Sequence, residues 1–252
     1  MCLILAAYHV IEDTDLLLVS NRDERYDRKA TSAHFWNDRG GILGGRDQER
    51  GGTWLAVSRS GRLAAVTNIR EPEKNDAHAP SRGVLPVEFV GQESAVDQFL
   101  DGQWDFDRYN GFNLVLWDGE HLAATSNRSD PVMMPPGIHG ISNGPLSSSW
   151  AKVQAASENL TGLINSGDVS DEEILSIMRD QSPKADDRLP NTGVGLEMER
   201  VLSSAFIQTD GYGTRCTTIV RFRSDGLIMF DEFTYDESAR IVDVSRFEIV
   251  ND

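Results

Sequence analysis

Four pairs of short β-compatible runs, each folded back by a tight turn, constrain this chain more than any other feature. Cys2 to Val10 is mostly apolar, Glu12 to Asp15 supplies turn residues, and Leu16 to Val19 runs on into Asn21-Arg22-Asp23-Glu24. The same pattern recurs at Trp54 to Ser58 with Leu63 to Thr67, turning at Arg59 to Gly61. It recurs at Phe112 to Trp117 with His121 to Ser126, turning at Asp118-Gly119, a strong hairpin signal. A fourth pair joins Thr217 to Phe222 and Leu227 to Phe233 through Ser224 to Gly226. Helical periodicity lies between the pairs. Val84 to Val90 and Ser94 to Leu100 are short candidates, and Ser149 to Ile164 spaces Val153, Ala156, Leu160 and Leu163 on one face. Asp171-Glu172-Glu173 opens a further helix, where acidic residues suit the N-terminal dipole. Antiparallel hairpins with segregated helices predict an α+β fold of two packed sheets covered by helices.

The length of 252 residues fits one large domain over 1–252 better than two small ones. No apolar run approaches the ~20 residues of a membrane-spanning helix. The apolar start has no basic region or small-residue cleavage site, so it reads as a first strand and not a signal peptide. Two distant cysteines, Cys2 and Cys216, make no disulfide framework, and a cytoplasmic location is the expectation. Forty acidic residues against 24 basic ones give a net charge of −16, a surface that repels phosphate backbones and disfavours nucleic-acid partners. Only four of the basic residues are lysine, which fits either salt adaptation, as in a halophile, or a merely acidic protein.

Cys2 is the first chemical candidate. Removal of Met1 would leave thiol and α-amine on one residue, and an amine of pKa about 8 can take the thiol proton without a histidine. The other reading is a small buried residue opening a strand. If the first two runs pair, the end of the second lies beside Cys2, bringing Arg22 or Asp23 within reach. A carboxylate there could hold the amine and a guanidinium could lower the thiol pKa; exposed ion pairs at a strand end are the alternative. Asn68 at a strand end and Asn143 ahead of a helix can donate to an oxyanion or simply form turns. Arg215, in Gly211 to Thr218, could bind a substrate carboxylate or sit by the nucleophile. Cys216, of opposite strand parity, reads as core. The glycine-dense 40–52 reads as mobile or tightly turned loop, and Asp180 to Glu197 as a surface loop or lid. Five scattered histidines lack metal-ligand spacing, so no metal site and no cofactor is expected.

Taken in order, Met1-Cys2-Leu3-Ile4, Asn21-Arg22-Asp23-Glu24, Gly51-Gly52-Thr53-Trp54-Leu55, Thr67-Asn68, Ser81-Arg82-Gly83, Ser142-Asn143-Gly144 and Gly213-Thr214-Arg215 resemble the NRDE family, also called the transport and Golgi organisation protein 2 family. The matches span residue 2 to about 220. The resemblance implies an N-terminal-nucleophile (Ntn) hydrolase-like four-layer αββα sandwich. It also implies a site like that of the cysteine branch with bile salt hydrolases and penicillin V acylases. Carried over, the catalytic set is Cys2, Asp23, Asn68, Asn143 and Arg215, with Asn21, Arg22 and Glu24 as substrate-binding candidates. The sequence departs from that branch where Ser20 takes the place of an arginine and Arg22 fills a variable slot. The implied activity is hydrolysis of a non-peptide C–N amide bond in a small molecule. In it, Asn143 and a backbone N–H near Asn68 would meet the oxyanion. The alternative is a non-catalytic carrier for haem, acyl-CoA or lipid, with Cys2 or His9 as a haem ligand.

Overall fold

The computed structural model describes residues 2–102 and 104–250. Met1, and with it the expected loss of the initiator, lies outside the described residues. The chain opens with β1 (Cys2–Ile11), β2 (Thr14–Arg25), β3 (Ala30–Phe35), β4 (Ile42–Asp47), β5 (Leu55–Ser58) and β6 (Leu63–Asn68). Helices α1 (Val84–Val90) and α2 (Val96–Leu100) follow, then β7 (Phe112–Trp117), β8 (Leu122–Ser126), β9 (Val132–Met133) and β10 (Gly137–Ile141). Helices α3 (Ala151–Ser166), α4 (Asp171–Met178) and α5 (Leu196–Val201) lead into β11 (Tyr212–Arg223), β12 (Leu227–Tyr235) and β13 (Ile241–Val250).

All strand pairings are antiparallel. One sheet runs β10-β1-β2-β11-β12-β13, the other β3 through β9 in chain order. Period-two alternation then builds three cores. Ile4, Leu18, Leu55, Val115 and Phe230 fill the space between the sheets. Leu5, Val19 and Ile219 face α3 and α4, while Ala64, Leu114 and Leu116 face α1 and α2. The four layers of the expected αββα sandwich follow directly. All four hairpins pair as the turn signals require. No helix among the described residues is long and apolar enough to cross a membrane.

Two expectations need correction. The glycine-dense 40–52 stretch contains β4, which pairs between β3 and β5 in the second sheet. A side chain at Gly45 would meet the Trp54 ring at 2.2 Å, so this glycine serves close packing. The irregular 180–197 segment is no lid over Cys2: its Arg188, Leu189 and Pro190 pack beside Trp150 and Lys152 at the start of α3.

Candidate active site

Parity on β1 decides where the cysteine points. Ile4, Ala6 and Tyr8 enter the core between the sheets, and Cys2 shares their register. It pairs with Arg22 on β2, and Arg22 pairs with Cys216 on β11. Two strand spacings, roughly 10 Å, separate the two cysteines, beyond disulfide reach; both are free. Cys216 is buried, as its core reading expects.

Cys2 is only 7% exposed, yet it lines a cavity of ≈ 400 Å³. Asp23, Asn68, Trp54, Arg22 and Arg82 share that wall. Burial pushes the thiol pKa up and the Asp23 charge adds to this, while the backbone N–H of Asp23 and the Arg22 guanidinium oppose it. The resting group is therefore a neutral thiol, and any attack by sulfur needs a proton acceptor beside it.

Asp23 is 1% exposed at the end of β2. Burial raises its pKa; the charge of Lys152 and the Thr214 hydroxyl, which donates to Oδ1 at 2.7 Å, counter that. Tyr212 donates its hydroxyl to the Asp23 carbonyl at 3.1 Å. Lys152, in the first turn of α3, is 2% exposed, and its Nζ has no hydrogen-bond partner among the described residues. Burial lowers its pKa to about 8 against the pull of Asp23.

A strap stitches the two sheets together at this end. The Ser142 hydroxyl donates to the Cys2 carbonyl at 2.9 Å, and Thr67 Oγ1 donates to the Ser142 carbonyl at 2.7 Å. Asn113 Nδ2 reaches the Ser142 and Gly144 carbonyls, and Asn143 Nδ2 donates to the Asn68 carbonyl at 2.8 Å. Asn68 thus stands on the cavity wall, while Asn143 is fully buried one shell behind it, holding the Asn68 backbone.

Arg22 is held on the cavity wall by stacking on Trp54 at 4.3 Å and by Asp47 at 3.3 Å. Glu24 also lines the cavity and lies 3.7 Å from Arg28. Asn21 does not belong to this wall. Its Nδ2 donates to the Met178 and Ala205 carbonyls at 2.8 and 2.9 Å, and its Oδ1 accepts from Thr217 at 2.6 Å. That is the opposite face of the sheet, as alternation demands.

Arg215 is likewise not brought to Cys2. Thr214 pairs with Asp23 and Cys216 with Arg22, so Arg215 is the extra residue of a β-bulge. Its guanidinium turns over Tyr26 and donates to the Arg25, Tyr26 and Arg28 carbonyls. His9 lies near the far end of β1, roughly 23 Å from Cys2 along the strand, where it faces Asp15 at 3.8 Å.

Sequence reasoning gives no role to Lys152 or Arg82, although Ser81-Arg82-Gly83 carries part of the resemblance. The Arg82 loop is pressed onto the strand wall by two glycines: Thr53 N–H donates to the Gly83 carbonyl, and a Cβ on Gly52 would lie 2.4 Å from that oxygen.

The model of the family described as Transport and Golgi organisation 2 matches residues 1–237. The chain belongs to that family. The human Transport and Golgi organization protein 2 homolog is 31% identical over 236 residues, covering 86% of this chain and 85% of the relative. The protein from Drosophila melanogaster is 26% identical over 248 residues, covering 87% and 86%. Among solved structures, the mutant C2A conjugated bile acid hydrolase from Clostridium perfringens superposes with a TM-score of 0.53 at 9% identity, over 100% of this chain and 93% of that one. The family fold is thus Ntn-hydrolase-like.

Proposed function

We propose that this family member is a cysteine Ntn hydrolase that cleaves a non-peptide amide once Met1 is removed. The observation that carries the reading is the meeting of Cys2, Asp23 and Asn68 on one cavity wall, where β1 begins and β2 and β6 end. A structural neighbour bears the name conjugated bile acid hydrolase and was studied as its C2A mutant, which agrees with a residue-2 nucleophile on this fold.

In this mechanism the α-amine of Cys2 accepts the thiol proton, replacing a histidine base. Sγ bonds to the carbonyl carbon, and the Asn68 side-chain amide donates to the developing oxyanion. Asn143 keeps Asn68 in place through the hydrogen bond to its carbonyl. Asp23 holds the protonated amine, and the buried charge of Lys152 favours the ionised form of Asp23 against the burial that raises its pKa. Collapse breaks the C–N bond, with the proton passing from the amine to the leaving nitrogen. Water then attacks the thioester, releases the acid and returns a proton to Sγ.

Intact mass of the purified protein comes first, with a loss of one methionine expected. Turnover of a panel of N-acyl amino acids by wild type and by Cys2→Ala follows. Wild type releases free amine and the variant does not; equal rates from the two proteins reject the nucleophile. Retained Met1 removes the α-amine mechanism.

A further inference from the structure

The net charge of −16 contrasts with the wall around Cys2, where four arginines (Arg22, Arg28, Arg50, Arg82) match four carboxylates (Asp23, Glu24, Asp47, Asp76). Most of these charges are spoken for. Asp47 takes Arg22 at 3.3 Å and Arg28 at 2.6 Å, and Glu24 lies 3.7 Å from Arg28. Asp23 accepts from Thr214, and Asp76 accepts the His78 N–H at 2.8 Å. Arg82 and Arg50 are left with no carboxylate within 4 Å among the described residues. The Arg82 guanidinium makes one hydrogen bond, Nη1 to the Gly111 carbonyl at 2.9 Å, and its other N–H groups have no protein acceptor among the described residues. Arg50 contributes only a 3.5 Å contact to the Ala77 carbonyl.

A half-buried guanidinium pinned by one bond and otherwise open to a cavity has donors free for a bound anion. Burial pulls the Arg82 pKa down to about 10, the mark of a cation short of a counter-charge, and a thiolate at Cys2 would push it back up. Arg82 therefore feels the charge of the reacting sulfur and presents its free donors into the same space. We propose that Arg82, assisted by Arg50, forms an anion subsite beside Cys2, so that the substrate is an amide bearing a carboxylate or phosphate on its non-reacting part. The assignment deepens the hydrolase reading and rests on it only for the bond that is broken. The substrate-carboxylate role that the sequence offers for Arg215 passes here to Arg82.

The test uses three alkylating amides that share one reacting carbon: neutral N-bromoacetylethanolamine, its phosphate ester, and N-bromoacetyl-β-alanine. In each case the Cys2 thiolate displaces bromide and forms a thioether, which peptide mass mapping distinguishes from labelling at Cys216. Since the same thiolate attacks all three, the ratio of anionic to neutral rate cancels any effect on thiol ionisation. At low ionic strength the expected ratio is on the order of tenfold to a hundredfold for the fitting anion, and added salt weakens it. Which anion is favoured tells carboxylate from phosphate. Arg82→Gln brings the ratio close to one, whatever the change in the rate that all three reagents share, and Arg82→Lys retains part of it.

No anionic preference in wild type overturns the subsite, as does a preference that survives Arg82→Gln. An equal fall for all three reagents overturns it too, since Arg82 would then act only on the thiolate. If Arg82→Gln loses the Gly111 contact and fails to fold, Arg50→Gln carries the test, and an unchanged ratio there is refuting. Failure of every reagent to reach Cys2 overturns subsite and nucleophile together. Absent amide turnover with the labelling preference intact rejects hydrolysis alone.

Discussion

Replacing Lys152 by methionine should make the protein more stable and its cysteine less reactive. The ammonium sits fully inside the molecule without a hydrogen-bond partner among the described residues, and burial brings its pKa from 10.5 to about 8. The groups that face it are Asp23 on β2, Cys2 on β1, Arg70 after β6 and Glu199 on α5. A fall of that size corresponds to about 3 kcal/mol of destabilisation while the lysine is charged. The sign follows from proton counting. Between about pH 8 and 10.5 the unfolded chain holds a proton that the native lysine has released, so wild-type stability rises with pH across that window through this group. Below pH 8 the full penalty is present. Lys152→Met, similar in length and apolar, removes the penalty at pH 7, although Asp23 then loses the nearby Lys152 charge and takes up a proton more readily, trimming the gain to about 1–3 kcal/mol. Urea unfolding at pH 7 and pH 10 reads this directly. The variant's midpoint should lie roughly 0.5–1 M higher at pH 7 with an unchanged slope, and the two proteins should converge by pH 10.5. In the same samples, alkylation of Cys2 at pH 7 should slow in the variant. Parallel pH dependence in the two proteins, or a variant less stable at pH 7, refutes the reasoning.

Asn21→Ala should unfold more easily by about 3 kcal/mol, since it strands the Met178 and Ala205 carbonyls and the Thr217 hydroxyl in the interior; denaturant midpoints measure it, and the Cys2 labelling rate of the folded fraction should stay put. Arg215→Ala should lower stability by about 1–3 kcal/mol through the freed carbonyls of Arg25, Tyr26 and Arg28, while Cys2 alkylation at pH 7 holds within about twofold; a large loss of thiol reactivity would return Arg215 to the nucleophile's side.

The layers of the fold were legible because each hairpin carries its own turn chemistry and each strand its own alternation. Asp118-Gly119 and Ser224-Asp225-Gly226 specify pairings without reference to the rest of the chain. Among the strands that could not be read, two carry glycines that look like loop: β4 with Gly44 and Gly45, and β10 with Gly137 and Gly140. There glycine answers a neighbour brought in by tertiary packing, the Trp54 ring in one case and the Val153 and Ser157 side chains of α3 in the other. The site was legible in part for the same reason. The pairing of Cys2 with Arg22 follows from the first hairpin, and Asp23 beside it. Arg215 was misdirected by a bulge, an extra residue that leaves no mark in the sequence and turns its own side chain away from the pairing register. Lys152 was passed over because a lysine in the first turn of a helix ordinarily points to water. Nothing local announces that α3 lays it against Asp23.

The tetrapeptide that marks the family gains meaning from this geometry. Four consecutive strand residues alternate between two faces, so no single pocket can use them all. Arg22 and Glu24 serve the cavity wall, Arg22 stacked on Trp54 and Glu24 beside Arg28. Asn21 ties the other face of the sheet to the carbonyls of Met178 and Ala205, at the end of α4 and just beyond α5. Asp23 follows Asn21 in parity, yet near the end of the strand it reaches the cavity, bonded to Thr214 and within the field of Lys152 from the helix layer. A shift of α3 against the first sheet would therefore move the Lys152 charge relative to Asp23 and, through it, the proton balance at Cys2.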